Sequence, residues 1–233
     1  MLRVAGPYLT LMASLPWLPP LHAARQLPIS RRRLERRLEM LEAEDAGLLH
    51  RIEAVVQWDR LGMHDSDAEI VRKAEALLPE IAVPALRDYL AWRLEVRTLV
   101  AALRRRAAGR PAPARGEAWG IGPATERIRR NWDDPDFGLG RSHPWLAEVR
   151  GLYAEGETLT LERRLMDLVW ARTSRAAEGH EFDFPAVAFY LLRWHLLQRW
   201  TSYDRPSAER RFAALLDEAL GRPAVHELAE RLA

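Results

Sequence analysis

Leu34, Leu38, Leu41, Leu48, Ile52, Val55 and Val56 recur at three- and four-residue intervals, the spacing that lines one face of an α-helix. Asp45 and Gly47 interrupt the run, so it predicts two helices, or one with a bend. Asp65-Ser66-Asp67 offers an N-cap for a short helix ending near Leu78, where Pro79 stops it. Pro84 suits the first turn of a long helix that runs through Arg106 to a terminator at Gly109. Trp92, Val96, Leu99 and Leu103 line one face of that helix. Helical spacing returns over 144–154, 159–177, 185–203, 207–220 and 224–232. No stretch alternates as a half-buried strand does. Tyr8 to Leu15, confined between Pro7 and Pro16, reads as a short buried strand or extended arm. The expected fold is all-α, a helical funnel or bundle forming one domain over 1–233, possibly with a short N-terminal strand.

Residues 109–124 are rich in Gly, Pro and Ala without helical period, and they predict a linker between halves 1–108 and 125–233. Asn131 to Ser142 is a second irregular stretch. Leu34-Glu35-Arg36-Arg37-Leu38 recurs as Leu161-Glu162-Arg163-Arg164-Leu165, and Pro84-Ala85 with Tyr89-Leu90 recurs as Pro185-Ala186 with Tyr190-Leu191. Low-complexity helices match one another easily, so coincidence and a true internal repeat both stay open. A true repeat would build the curved surfaces with which helical stacks grip other proteins.

Composition narrows the function classes. Across 233 residues, 48% are hydrophobic and 29% charged, and the formal net charge is only +2, an ordinary globular balance. Lys73 is the only lysine, so nearly all of the 35 basic residues are arginine. With no cysteine, disulfides, zinc-thiolate sites and thiol nucleophiles are excluded. Residues 4–18 imitate a signal peptide before Leu21-His22-Ala23-Ala24, but Pro7, Pro16, Pro19 and Pro20 break any helix there. The run is also shorter than the ~20 residues a membrane-spanning helix needs, so a soluble chain is expected.

The usual catalytic patterns are missing. Gly120-Ile121-Gly122 and Gly138-Leu139-Gly140 are each half of a dinucleotide loop that neither follows a strand nor reaches a third glycine. His180-Glu181-Phe182-Asp183 lacks a second histidine one turn on, and Asp183 is better placed as a helix cap. Asp133-Asp134-Pro135-Asp136 is not closed by the bidentate Glu of an EF-hand. No catalytic residue, metal ligand or cofactor site is therefore predicted.

The segment 185–203 (PAVAFYLLRWHLLQRWTSY) is almost too apolar for a surface helix. At about 100° per residue, His195, Gln198, Arg199 and Ser202 share one side, while Phe189, Leu196, Leu197 and Trp200 share the other, with Arg193 in their midst. A buried guanidinium needs a carboxylate. Glu95, or else Asp88, sits suitably at the edge of the Trp92/Leu99 face. Two readings stay open: an internal ion pair fixing helix register, or an arginine kept for a partner's carboxylate.

Tyr8-Leu9-Thr10-Leu11-Met12-Ala13-Ser14-Leu15-Pro16, Leu90-Ala91-Trp92-Arg93-Leu94-Glu95-Val96-Arg97, the loop from Trp132 to Gly140, and Tyr190-Leu191-Leu192-Arg193-Trp194 with Arg199-Trp200 and Tyr203-Asp204 form a set. Together they resemble an uncharacterised bacterial family whose members are found beside V/A-type ATPase genes. That family resembles in turn the C (eukaryotic d) subunit of rotary ATPases, a helical funnel seated on the membrane rotor ring that receives the central shaft. The resemblance implies a non-catalytic central-stalk socket. Its partners would be the shaft and ring subunits, with no nucleic acid, and it would be cytoplasmic, meeting the inner membrane only through those partners. Trp92, Tyr190, Trp194, Trp200 and Tyr203 become candidate core or partner-contact aromatics. Two rivals remain. One is an unrelated helical adaptor; the other is a nucleic-acid binder, which would bring Arg31-Arg32-Arg33 and Arg104-Arg105-Arg106 onto one basic face.

Overall fold

A computed structural model describes residues 6–56 and 67–202, and among these the regular structure is entirely helical. In chain order the helices are α1 (Leu9–Ser14), α2 (Arg31–Leu38), α3 (Ala43–Val56), α4 (Asp67–Leu77), α5 (Pro84–Ala107), α6 (Ala124–Arg130), α7 (Trp145–Ala154) and α8 (Thr158–Ala176). The last, α9, covers 184–202. The fold is all-α. Two helices, rather than one with a bend, carry the first apolar run, but the break between α2 and α3 falls at residues 39–42, and Asp45 and Gly47, expected to interrupt the run, lie within the first turns of α3. Asp65 and Ser66, and the expected helices 207–220 and 224–232, lie outside the described residues.

The N-terminal strand is corrected. Leu9–Ser14 is a helix, closed by the Leu15 N–H donating to the Met12 carbonyl. Leu, Met and Ala favour helix over strand. The flanking prolines that suggested an extended arm stand outside the helix, where a missing N–H costs nothing. Leu11 faces the core at 1% exposure, and the Tyr8 N–H is fixed to the Phe182 carbonyl.

The long helix behaves as its ends predict. Pro84 occupies its first residue, and Gly109 adopts φ +66° just beyond it. The Gly109 N–H donates to the Arg106 carbonyl and the Arg110 N–H to the Arg105 carbonyl, the paired bonds of a Schellman stop, which glycine accommodates without steric strain. At 24 residues α5 is about 36 Å long. It passes through two cores. Leu86, Tyr89, Leu90 and Leu94 join the first, with α1 to α4 and α9; Val96, Leu99, Val100 and Leu103 join the second, with α6, α7 and the loops around them. α8 spans both as well, in the opposite direction: Leu161 and Leu165 lie in the second core, Met166 and Val169 in the first. The cores therefore do not follow the halves 1–108 and 125–233, because the segment from 96 to 165 builds the second core alone.

The Gly/Pro/Ala-rich stretch has no regular structure before α6, yet it is a strap rather than a free linker. Trp119 and Ile121 are buried. Thr98, fully buried in α5, holds the strap: its hydroxyl accepts the Ile121 N–H at 2.8 Å and lies 3.1 Å from the Ile121 and Leu94 carbonyls, to either of which it can donate. A Cβ on Gly120 would come within 2.4 Å of the Thr98 methyl, so only glycine permits this approach. Arg105 ties the outer part, bonding Glu117 and the Pro111 carbonyl. Thr98→Val keeps the shape of the side chain but strands the buried Ile121 N–H. A loss of about 1–3 kcal/mol is expected, measured as a lower denaturant midpoint at unchanged slope; an unmoved midpoint would mean that the strap is not held there.

Candidate functional site

α9 is where the interior polar chemistry converges. Asp183 caps it, accepting the Ala186 N–H at 3.0 Å while its other oxygen meets His180 Nδ1 at 2.6 Å. The sequence motif around His180 is thus a helix start. From Ala186 to Leu192 every residue is buried, which accounts for the apolar run. Two polar tips break it. The Tyr190 hydroxyl donates to the Pro16 carbonyl at 2.8 Å, and one turn on, Trp194 Nε1 donates to the Ile29 carbonyl at 2.9 Å. The irregular segment between Pro16 and Ile29 is pinned to α9 at both ends.

On another face of α9, His195 Nε2 lies 2.6 Å from Glu53 Oε1, and Arg31 donates to the same oxygen at 2.9 Å and to Glu35 at 2.7 Å. Glu53 is only 8% exposed. Burial alone would raise its pKa, but the hydrogen bonds from His195 and Arg31 outweigh burial and bring it down to about 2. This cluster locks α2, α3 and α9 together.

A third cluster sits at the seam of the two cores. Arg93 of α5 is 5% exposed. Burial, with the nearby Arg199 charge adding to it, lowers its pKa to about 10, so it remains a cation at neutral pH. Arg93 bonds the Tyr89 hydroxyl; that hydroxyl lies 2.7 Å from Thr173 Oγ1, which donates to the Val169 carbonyl at 2.6 Å. The donors therefore run in one direction, from guanidinium to phenol to threonine to backbone. Arg199 pairs with Glu162 alongside. Leu165, Met166, Val169 and Leu196 complete a small pocket around Arg93, Glu162 and Arg199.

The expected pairing of Arg193 is corrected. Neither Glu95 nor Asp88 reaches it: Glu95 faces His143 at 3.6 Å, and Asp88 is exposed beside Arg87. Arg193 is half-buried, and its Nε is enclosed without a hydrogen-bond partner. The ~100° stepping placed it correctly among apolar neighbours on its own helix, but could not say which element lay opposite. Of the five aromatics, Trp194 is fully buried and Tyr190 nearly so. Trp92 is half-buried under the Arg172 guanidinium, 5.6 Å from its ring. Trp200 is half-buried, with His22 edge-on at 4.5 Å and Arg163 at 5.5 Å. Tyr203 lies outside the described residues.

Two features carried no sequence signal. Arg93 differs from its neighbours only by lying one turn from Tyr89, and Trp17, 75% exposed, only by its prolines. The acidic loop is built inward. Asp134 accepts the Asp136 and Gly138 N–H groups, whose bonds hold its pKa below the ordinary value. Arg106 bonds the Asp134 and Pro135 carbonyls and stacks 4.3 Å from the buried Phe137 ring. Among the described residues no three His, Asp or Glu side chains gather as metal ligands, and no helix is long and apolar enough to cross a membrane.

Glu53 sets a pH dependence. Its folded value of about 2 lies below the ordinary 4.5, so its stabilisation is complete above pH 4.5 and is lost as pH falls toward 2. The amount is on the order of 3 kcal/mol. Unfolding free energy measured across that window should fall more steeply for the parent than for Glu53→Gln, and parallel curves would contradict the assignment.

The comparisons with known proteins are sparse. No curated protein matches the chain, and no solved structure does. Residues 82–220, more than half of the chain and including α5 to α9, match a family described as "Protein of unknown function (DUF2764)". The chain belongs to that DUF2764 family.

Proposed function

We propose that the chain is a non-catalytic subunit of a V/A-type rotary ATPase, a C/d-like central-stalk socket that couples the rotor shaft to the membrane ring. The supporting observation is how the described interior uses its polar groups. Glu53, His195, Tyr89, Thr173, Glu162 and Arg199 all bond one another or their neighbours across helix boundaries. Such groups make a stiff body, which torque transmission requires. The resemblance of the Tyr8–Pro16, Leu90–Arg97 and Tyr190–Trp194 segments to C-like subunits supplies the identity of the machine. The mechanism is mechanical: the chain holds shaft and ring in fixed relation while ion movement and ATP chemistry occur in other subunits.

Half of the two arginine runs is spent within the chain, which weighs against a single basic face for nucleic acid. Arg31 is taken up by Glu53 and Glu35, Arg105 by Glu117, and Arg106 by loop carbonyls. Affinity capture of the tagged chain from cells that make a V/A-type enzyme should bring the shaft and ring subunits with it. Capture without any ATPase subunit, or calorimetry showing tight ATP binding to the purified chain, would contradict the proposal.

A further inference from the structure

Trp17 is the most exposed large apolar side chain among the described residues, at 75%. Water is a poor place for an indole, whose burial is among the most favourable of any side chain. It is not there through slack: the next residue, Leu18, is buried, and the preceding Pro16 carbonyl is fixed by the Tyr190 hydroxyl. With Pro19 and Pro20 following, the segment holds the indole outward in a restricted backbone.

Tyr190 leads from Trp17 to Arg193. The two residues are three apart on α9, neighbours on the helix surface, and Tyr190 is the group that acts electrostatically on Arg193. Arg193 is half-buried, its Nε has no hydrogen-bond partner, and no carboxylate among the described residues pairs with its head group. Arg105, Arg150, Arg164 and Arg199, by contrast, each hold one. A phenol is neutral at neutral pH and brings no counter-charge. A partly desolvated guanidinium without an anion is costly, and a carboxylate arriving from outside removes that cost.

The surrounding charge has the matching sign. One turn beyond Tyr190, Trp194 holds the Ile29 carbonyl, and α2 begins two residues later. α2 exposes Arg32, Arg33, Arg36 and Arg37, none of which pairs with a described carboxylate. We infer that Trp17 and Arg193, held in place by the buried Tyr190 between them, form a docking site for an acidic partner protein, which covers the indole and places an Asp or Glu carboxylate on the Arg193 guanidinium. Trp and Arg are among the residue types that dominate interface energetics. Arg193 favours a protein over an anionic lipid surface, because the residue is half-buried with its Nε enclosed, which suits one projecting side chain better than a flat layer of head groups. The inference requires only the chemistry of the partner, and stands whether or not that partner belongs to a rotary ATPase.

The test uses the 233-residue chain with photoreactive benzoylphenylalanine in place of Trp17, irradiated in an extract of the source cells. One dominant protein is expected, linked through a peptide that contains Asp or Glu. Its yield should fall by about tenfold or more in Arg193→Met and in Arg193→Gln, while melting stays within about 2 °C of the parent. Two variants are made so that a folding defect in one leaves the other to decide. Reversing the pair, Arg193→Glu with the partner's acid changed to Arg, should restore the link. Linkage to phospholipid, no dominant adduct, or a yield indifferent to both variants would overturn the inference. A partner that meets these criteria but is no ATPase subunit would leave this site standing and remove the stalk reading instead.

Discussion

A guanidinium buried between two hydrophobic cores must have its N–H donors hydrogen-bonded, and Arg93 sets that condition here. It lies at the point where α5 passes from one core to the other. Its pKa, lowered to about 10, leaves it cationic under ordinary conditions. Satisfying it fixes other elements in turn. Tyr89 must point toward α8 to reach Thr173, the Thr173 hydroxyl must donate to the Val169 carbonyl, and α9 brings Arg199 against Glu162 of α8. α5, α8 and α9 are thereby tied in register by directional bonds, whereas apolar packing alone tolerates sliding. Removing one member of such a set leaves the others desolvated, which is why buried ionic groups are costly to break even where they add little net stability.

The same economy separates interior from surface. Inside, the titratable groups of α2, α3 and α9 are spent on one another around Glu53, and the strap of residues 109–123 is spent on Thr98. On the periphery, Trp17, Arg193 and the exposed arginines of α2 have no comparable partners among the described residues. A body stiffened within and unsatisfied at one edge is suited to holding another protein. That connects the fold to the proposed role without asking any side chain to perform chemistry.

How much of this was legible in the sequence depended on the range of the interaction. Local signals were mostly reliable: Pro84 and Gly109 bracket α5 and Asp183 caps α9, but Asp45 and Gly47, which interrupt the apolar run, lie inside α3, and the break between α2 and α3 falls before them at residues 39–42. Across longer distances the sequence was silent. Nothing near Arg193 says that Glu95 turns toward His143, because that depends on how the second core seats the loop before α7. Likewise, Pro7 and Pro16 look the same whether they border a strand or a helix, and the contacts of Leu11 and Tyr8 with the core decide it. The linker is irregular by composition, but its attachment through the buried Thr98 hydroxyl, the Arg105 guanidinium and the burial of Trp119 and Ile121 is marked by no pattern.

If the chain is the socket of a rotary ATPase, electron cryomicroscopy of the intact enzyme purified from the source cells should show its helices between the central shaft and the membrane ring, with α5 and α8 crossing both cores as a single body. An assembled enzyme in which another chain fills that position, and this one is absent, would contradict the account.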